Sequence, residues 1–438
     1  MIVPSWSDHL AALETIRGEA LRAVDPRRLV AGALTFESGI LAAGERRFVL
    51  PRGGAVSIVA LGKAAPGMAA AAADILQNAY ARGLVVSTQR PASLPPRFDF
   101  ILGGHPLSTE GSLEAGRRIA RIAHNLGPKD TLLALVSGGG SALVEHLRPP
   151  LTLDDLRKLQ EQMLRSGADI RAFNLVRAIL SQIKRGGLAR LAQPAQTIGL
   201  ILSDVIGDPL ADVASGPTVD EPADAAQARA VLTRLALWEA LPAGVRAAIN
   251  EIPPAPEPTR PPAHNLLIGS SATAASAAQD CAGWLGFNAD VVSLDVSGEA
   301  VQVGRQLAGI ALDARAEAGP GSLPRAMVFA GETTVTMRGH GSGGRNQEAA
   351  LGAAQRLAGA EGVAMMMLAM DGVDGNSPAA GAIVTGTSAN AAAELGYDIN
   401  ATLRENNSHT LLHALGGCVH TGPTGTNVND LMVALIYP

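Results

Sequence analysis

The sequence predicts two α/β domains with mostly parallel, Rossmann-like sheets facing an interdomain cleft, and three observations carry that expectation. Short apolar runs alternate with amphipathic stretches of helical length along almost the whole chain, the pattern of βαβ units. Nearly every apolar run ends in a glycine-rich or polar turn, and in parallel sheets ligands bind beyond the carboxyl ends of the strands, where such turns lie. Residues 253–262 hold six prolines in ten positions, the composition of a stiff linker between two domains, expected at 1–250 and 263–438.

The elements follow in order. Residues 5–23 read as an amphipathic helix, with Leu10, Leu13, Ile16 and Leu21 at helical spacing. The run 57–61 leads into Gly62 and an alanine-rich helix over 64–77. Strands follow at 83–87 and 98–102, the second ending at Gly103-Gly104-His105, and the run 131–136 ends at Ser137-Gly138-Gly139-Gly140-Ser141. Thr152, with Asp155 in the first turn, caps a helix that runs to about residue 164. The run 197–202 ends at Ser203-Asp204. Beyond the prolines, runs at 266–268, 289–294, 326–329, 363–370 and 417–420 resume the alternation, and no repeat of solenoid length is visible.

The chain has 438 residues, 47% hydrophobic and 17% charged, which excludes a disordered protein. Aromatic residues are only 3%, the formal charge is −5, and no basic block occurs, so a nucleic-acid partner is not expected. Cys281 and Cys418 give neither a disulfide framework nor a CxxC motif. The first residues lack a long apolar core, and apolar runs such as 362–370 fall far short of the ~20 residues of a membrane span. A soluble cytoplasmic protein is expected, with a small-molecule partner, no membrane partner, and homo-oligomerisation left open.

Several loops could carry chemistry. In Ser137-Gly138-Gly139-Gly140-Ser141 three glycines let the backbone approach an anion, and the helix that follows aims N–H groups at it; the plainer reading is a tight turn without ligand. No GK[ST] closes the loop, so it is not a Walker A motif. Lys63 follows a strand directly and could point its charge at a phosphoryl group or carboxylate, although a lone lysine is more often solvated. Residues 339–348 contain GxGxxG at Gly339, Gly341 and Gly344, but the acidic residue that ends the next strand, Asp371, lies too far on for a dinucleotide site. Arg345 in the first turn of the next helix suits bidentate recognition of phosphate or carboxylate. Acidic loops at Asp204, Glu332, Asp371–Asp374 and Asn427–Asp430 could contribute to a Mg²⁺ site, each also being an ordinary turn or cap carboxylate. His409 and His413 stand four apart near His420; without HExxH they read as partly buried or surface histidines. No GxSxG elbow supports a hydrolase.

Six segments in order carry a resemblance: Ala60-Leu-Gly-Lys-Ala-Ala, Leu135-Val-Ser-Gly-Gly-Gly-Ser-Ala, Leu202-Ser-Asp-Val-Ile-Gly-Asp, Ala214-Ser-Gly-Pro-Thr, Gly343-Gly-Arg-Asn-Gln-Glu and Thr421-Gly-Pro-Thr-Gly-Thr-Asn-Val-Asn-Asp-Leu. On these the chain resembles, from about residue 8 onward, the bacterial glycerate 2-kinase family, whose C-terminal part is the MOFRL domain and whose members are often labelled hydroxypyruvate reductase. The resemblance implies ATP-dependent phosphorylation of D-glycerate at its 2-hydroxyl with Mg²⁺. It also implies Lys63 and Arg345 as the catalytic pair. Ser137, Gly138, Gly139, Gly140, Ser141, Asn346 and Glu348 are then candidates for binding nucleotide or substrate, and Asp204, Glu332 and Asp371 for holding the metal. The chain departs from the family pattern at Ser108, Thr109, Ala178, Ile179 and Pro378, which bears on substrate choice and metal binding. The alternatives are a kinase for another small hydroxy acid, an NAD(P)H-dependent hydroxypyruvate reductase, and a non-enzymatic binder of sugar acids.

Overall fold

A computed structural model describes residues 6–168, 170–221, 224–252, 263–319 and 321–438. The proline-rich segment 253–262 lies outside the described residues. The chain forms two compact units, Pro26–Ile268 and a discontinuous one made of Met1–Asp25 with Gly269–Pro438.

The continuous unit begins with a small antiparallel meander of β1 (Leu34–Glu37), β2 (Ile40–Ala43) and β3 (Arg46–Val49). Strands this short leave little alternation to read, so the meander had no counterpart among the expected elements. The main sheet comprises β4 (Val56–Leu61), β5 (Tyr80–Ser87), β6 (Phe98–Leu102), β7 (Thr131–Ser137), β8 (Gln196–Leu202) and β9 (His264–Gly269), in the order β6-β5-β4-β7-β8-β9. The pairings from β6 through β8 are parallel. Every residue of β4 and β7 is buried, as helices on both faces of a parallel sheet require. Val59, Leu61, Leu84, Val86, Leu132, Ala134 and Val136 form its core. A separate core of Leu156, Leu159, Val176, Ile179, Leu232, Trp238 and Ile249 unites the helices Leu153–Arg165, Ile170–Ile179, Ala225–Arg234 and Ala243–Asn250. Ala178 and Ile179, two of the departures, are both buried, Ile179 within that core.

The second sheet has the order β10-β11-β15-β12-β13-β14, from β10 (Asn288–Glu299), β11 (Arg325–Thr334), β12 (Val363–Ala369), β13 (Gly381–Thr385), β14 (Cys418–Val419) and β15 (Asp430–Ile436). Here the expectation of mostly parallel pairing needs correcting. Only β10–β11 is parallel, whereas β11–β15, β12–β15, β12–β13 and β13–β14 are antiparallel. Both β12 and β15 are buried throughout, and β12 and the part of β15 after Asp430 read as unbroken apolar runs, which carry no mark of strand direction.

The first helix, Trp6–Ala23, also departs from the expected boundary at 250. It packs on helix Ser271–Trp284 of the discontinuous unit, the His9 ring meets the edge of Tyr437 at 4.9 Å, and Thr426 Oγ1 donates to Val24 O at 2.9 Å. Its apolar stripe, with Leu13, Ile16 and Ala20 fully buried, shows that the helix needs a partner but not which one. Strand β9, which follows the prolines, completes the sheet of the other unit.

Helices Ala300–Ala316 and Arg345–Leu357 approach each other closely at two glycines: a Cβ on Gly304 would collide with the Ala349 carbonyl, and one on Gly352 with the Val301 carbonyl. Gly304→Ala should therefore lower the unfolding free energy by about 1–3 kcal/mol, read from a urea titration, because the helices must separate to admit the methyl group.

Candidate active site

In the continuous unit the strand order reverses between β4 and β7, since β5 and β6 lie to one side of β4 and β8 and β9 beyond β7. Crevices at such switch points, beyond the carboxyl ends of the strands, are where α/β sheets receive ligands. Lys63 follows β4 and the loop Ser137–Ser141 follows β7, so the sheet brings these two expected features together. Lys63 N donates to Gly138 O at 2.9 Å, and Ala64 N donates to Ser137 Oγ at 3.1 Å. Gly62 has φ +118°, and a Cβ there would overlap Ser137, so glycine is required twice over. Around Gly139 (φ +82°), Lys63 Cγ and His105 Cδ2 both stand 3.4 Å from the place a Cβ would occupy. The half-buried lysine, the exposed imidazole and the glycine turn thus share one corner.

The far wall of that corner comes from the Ala214-Ser-Gly-Pro-Thr segment, whose conformation and place in the site no sequence signal gave. Ala214, Ser215 and Gly216 take positive φ values of 50°, 61° and 56° in succession, a conformation costing about 1–2 kcal/mol for each residue with a side chain. The turn packs on the glycine loop: Ala214 fills the space beside Gly140, and the hydroxyls of Ser141 and Ser215 share a hydrogen bond of 2.7 Å. Stored backbone strain of this kind clusters at ligand sites. Beneath the loop, Arg177 Nη2 donates to Ser141 O at 2.8 Å, and the buried Lys184 pairs with the buried Glu145. Burial lowers the pKa of Lys184, opposed by the Glu145 carboxylate. Two departures also serve this corner. Ser108 Oγ donates to Ala142 O at 3.0 Å, and Thr109 caps helix Glu110–His124. Asp204 lies half-buried just past β8.

In the discontinuous unit β11, β15 and β12 bring Glu332, Asp430 and Asp371 to one end of the sheet, with Gly331 and Ala369 both paired to Asp430. Arg345, first residue of helix Arg345–Leu357, spans that end. Its Nε and Nη2 donate to the two oxygens of Asp430 at 2.6 and 3.0 Å, and its Nη1 reaches Glu332 Oε1 at 2.7 Å. Asp430 is fully buried and Glu332 about half exposed, so one contact is fixed and the other can exchange with solvent. Burial pushes Asp430 up to about 6, against the pull of Arg345. Burial also disfavours the Arg345 cation, but Asp430 and Glu332 outweigh it and raise its pKa. A pocket of about 550 Å³ opens over Arg345, lined by Glu332, Thr334, Gly343, Glu348 and Asn376.

The glycine loop before this helix differs from a phosphate cradle. The buried Asp374 already occupies the helix N-terminus, accepting from Asn346 N at 3.0 Å and from Gln347 N and Nε2 at 2.9 Å. Asn346 is buried beside it, and Glu348, which lines the pocket, accepts from Asn406 Nδ2 at 2.8 Å. Among the described residues no three carboxylates converge; a two-carboxylate set with phosphate oxygens is still sufficient for Mg²⁺.

Residues 12–250 match the model of a domain of unknown function, DUF4147, and residues 325–430 that of the MOFRL family. A glycerate 2-kinase from Pyrococcus horikoshii is 36% identical over 425 residues, 96% of this chain and 95% of its own. An Agrobacterium vitis protein with the provisional name hydroxypyruvate reductase is 37% identical over 439 residues, 99% of this chain and 96% of its own. The crystal structure of a glycerate kinase from Thermotoga maritima superposes with a TM-score of 0.87 at 35% identity, covering 99% of this chain and 100% of that one.

Two outcomes follow from the buried carboxylates. Asp374→Ala strands two backbone N–H groups and two side-chain amides, and should lower stability by at least about 2 kcal/mol in urea, with Asp374→Asn recovering part. Asp430 sits near 6 in the native protein and about 4 unfolded, so the native state takes up its proton first on acidification. The stability linked to that protonation is complete below about pH 4 and is lost as pH rises through 6; in Asp430→Asn the slope across that window should become shallower, the part contributed by Asp374 and Glu348, also raised by burial, remaining.

Proposed function

Since the chain belongs to the glycerate 2-kinase family, we propose that it transfers the γ-phosphoryl group of ATP to the 2-hydroxyl of D-glycerate, giving 2-phosphoglycerate and ADP. The observation that carries this reading is the corner where Lys63 stands beside the Gly139 turn at the switch point of a parallel sheet. Phosphoryl transfer asks little covalent work of a protein, so catalysis comes from positioning and from charges set in advance.

Lys63 offers a compact positive charge to phosphoryl oxygens, and the backbone of Gly138–Ser141 offers close approach without side chains. Arg345 acts as the second cation. Asp430 fixes two of its nitrogens, leaving Nη1 for an anion that displaces Glu332, either a phosphoryl oxygen or the glycerate carboxylate. Mg²⁺ bound with ATP supplies further neutralisation of phosphate charge, and Asp204, Glu332 and Asp371 carry the hard oxygen donors it prefers. Glu332 released by the incoming anion would be available for that task. Asn346 and Glu348 serve from beneath, Asn346 near the helix cap and Glu348 at the pocket wall.

The reductase reading loses its motif in this geometry. The GxGxxG glycines precede a helix whose N-terminus is filled by Asp374, and a pyrophosphate would have to displace that carboxylate. A cytoplasmic location is part of the proposal; no described helix is long and apolar enough to cross a membrane.

The test compares D-glycerate-dependent ADP release with hydroxypyruvate-dependent NADH oxidation on one preparation. ADP release is expected, with Lys63→Ala reducing kcat by about 10²–10³-fold while the circular dichroism spectrum is unchanged. NADH oxidation without ADP release would overturn the proposal.

A further inference from the structure

Helix Ser408–Ala414 carries His409 and His413 one turn apart, with ring centroids 5.7 Å apart, and the chain then turns through Gly416-Gly417 into the short strand β14. That turn returns Cys418 and His420 to the histidine face of the helix. One donor atom from each of His413, Cys418 and His420 lies within 4.8 Å of the other two, and these are the described residues' single group of three such ligands. His409 stands alongside, its Nδ1 3.7 Å from Cys418 Sγ and its ring 6.5 Å from that of His420. The sequence showed the histidines but not the cysteine, which lies in a different element and has no metal-motif spacing.

We propose that His413, Cys418 and His420 bind a zinc ion, separate from the magnesium of the phosphoryl-transfer reaction. Two imidazoles and a thiolate are the borderline-soft donor set that zinc prefers over Mg²⁺. At zinc's bond lengths tetrahedral ligand atoms lie roughly 3.5 Å apart, so closing the present spread needs shifts of about 1 Å. His413 and His420 are exposed and can make them by side-chain rotation. The surroundings already orient the donors. His420 Nδ1 lies 3.2 Å from Pro378 O, which fixes the tautomer with the proton on Nδ1 and leaves the Nε2 lone pair for the metal. His409 Nδ1 is bonded to Gln347 Oε1 at 3.1 Å, and Gln347 Nε2 in turn donates to Asp374 at 2.9 Å. The fourth position falls to water. The ion would add a side-chain tie between the helix, β14 and the segment leading into Thr421-Gly422, where backbone bonds from Gly416 N to His413 O and from Gly417 N to Leu412 O already close the turn.

Tag-free, chelator-treated full-length protein is titrated with Zn²⁺ against a chromophoric chelator, and separately with Co²⁺. One ion per chain is expected, with a thiolate-to-cobalt charge-transfer band in the near ultraviolet and a zinc-dependent rise of several degrees in Tm. Cys418→Ser should abolish the band and weaken zinc at least 10-fold, whereas Cys281→Ser, altering a buried cysteine outside the cluster, should keep both. His413→Ala alters an exposed side chain; if Cys418→Ser fails to fold, loss of at least 10-fold in zinc affinity by His413→Ala decides in its place. Absence of the charge-transfer band in the parent protein, or equal zinc affinity in the parent and His413→Ala, would overturn the proposal. Glycerate phosphorylation is not the readout, so neither result depends on the kinase reading.

Discussion

Gly62 and Ser137 lie so close that no side chain fits between them, and the rest of the continuous unit's site is arranged around that contact. Parallel pairing of β4 with β7 sets the two strand ends side by side, but pairing alone would leave their loops independent. The hydrogen bonds from Lys63 N and Ala64 N to Gly138 O and Ser137 Oγ join them into one piece of backbone. A lysine on a four-carbon stem is ordinarily a poor positioning device because of its rotamer entropy. Here its Cγ lies against the Gly139 turn, so on the proposed reading less freedom remains to be lost on binding an anion. The strained turn at 214–216 completes the arrangement, holding Ser215 against Ser141 at a conformational cost that the packing around it must offset.

The discontinuous unit solves a different problem, that of keeping an arginine charged and still at the end of a mostly apolar sheet. Two buried carboxylates do so by different means. Asp374 is stabilised by backbone and amide N–H groups at the start of a helix, and so anchors the segment on which Arg345 rides. Asp430 is stabilised by the guanidinium itself, through two parallel hydrogen bonds. Burying either acid alone would be costly; paired in this way they convert a flexible cation into a fixed one. Glu332, half exposed, is the member of the set that can let go.

Much of this was legible in the residues and some was not. Lys63 and the 137–141 loop could be placed because a strand end followed by glycine is a local signal, and the sheet order then put them together. Arg345 could be located on its helix, but its partner Asp430 lies 85 residues on, and no local pattern says which acid of several will face it. Asp374 read as a turn or cap carboxylate, and the structure makes it the cap of a helix that starts before it in the chain. The pairing direction of the second sheet was hidden because residues buried on both faces look alike in either orientation. The left-handed run at Ala214-Ser215 was hidden because neither residue type advertises such a conformation.

The helix Trp6–Ala23 belongs with residues from Gly269 onward, while the whole of Pro26–Ile268 intervenes as a unit with its own sheet. During synthesis that helix therefore leaves the ribosome long before Ser271–Trp284, the helix it packs on, has been made. At ordinary elongation rates the wait is on the order of 10–50 s, during which Leu13, Ile16 and Ala20 face solvent or a chaperone. The intervening unit has time to fold first and to present the helix and the rest of its unit as two ends of one finished body. Assembly of the discontinuous unit then becomes the closure of a loop already shortened by a folded insert.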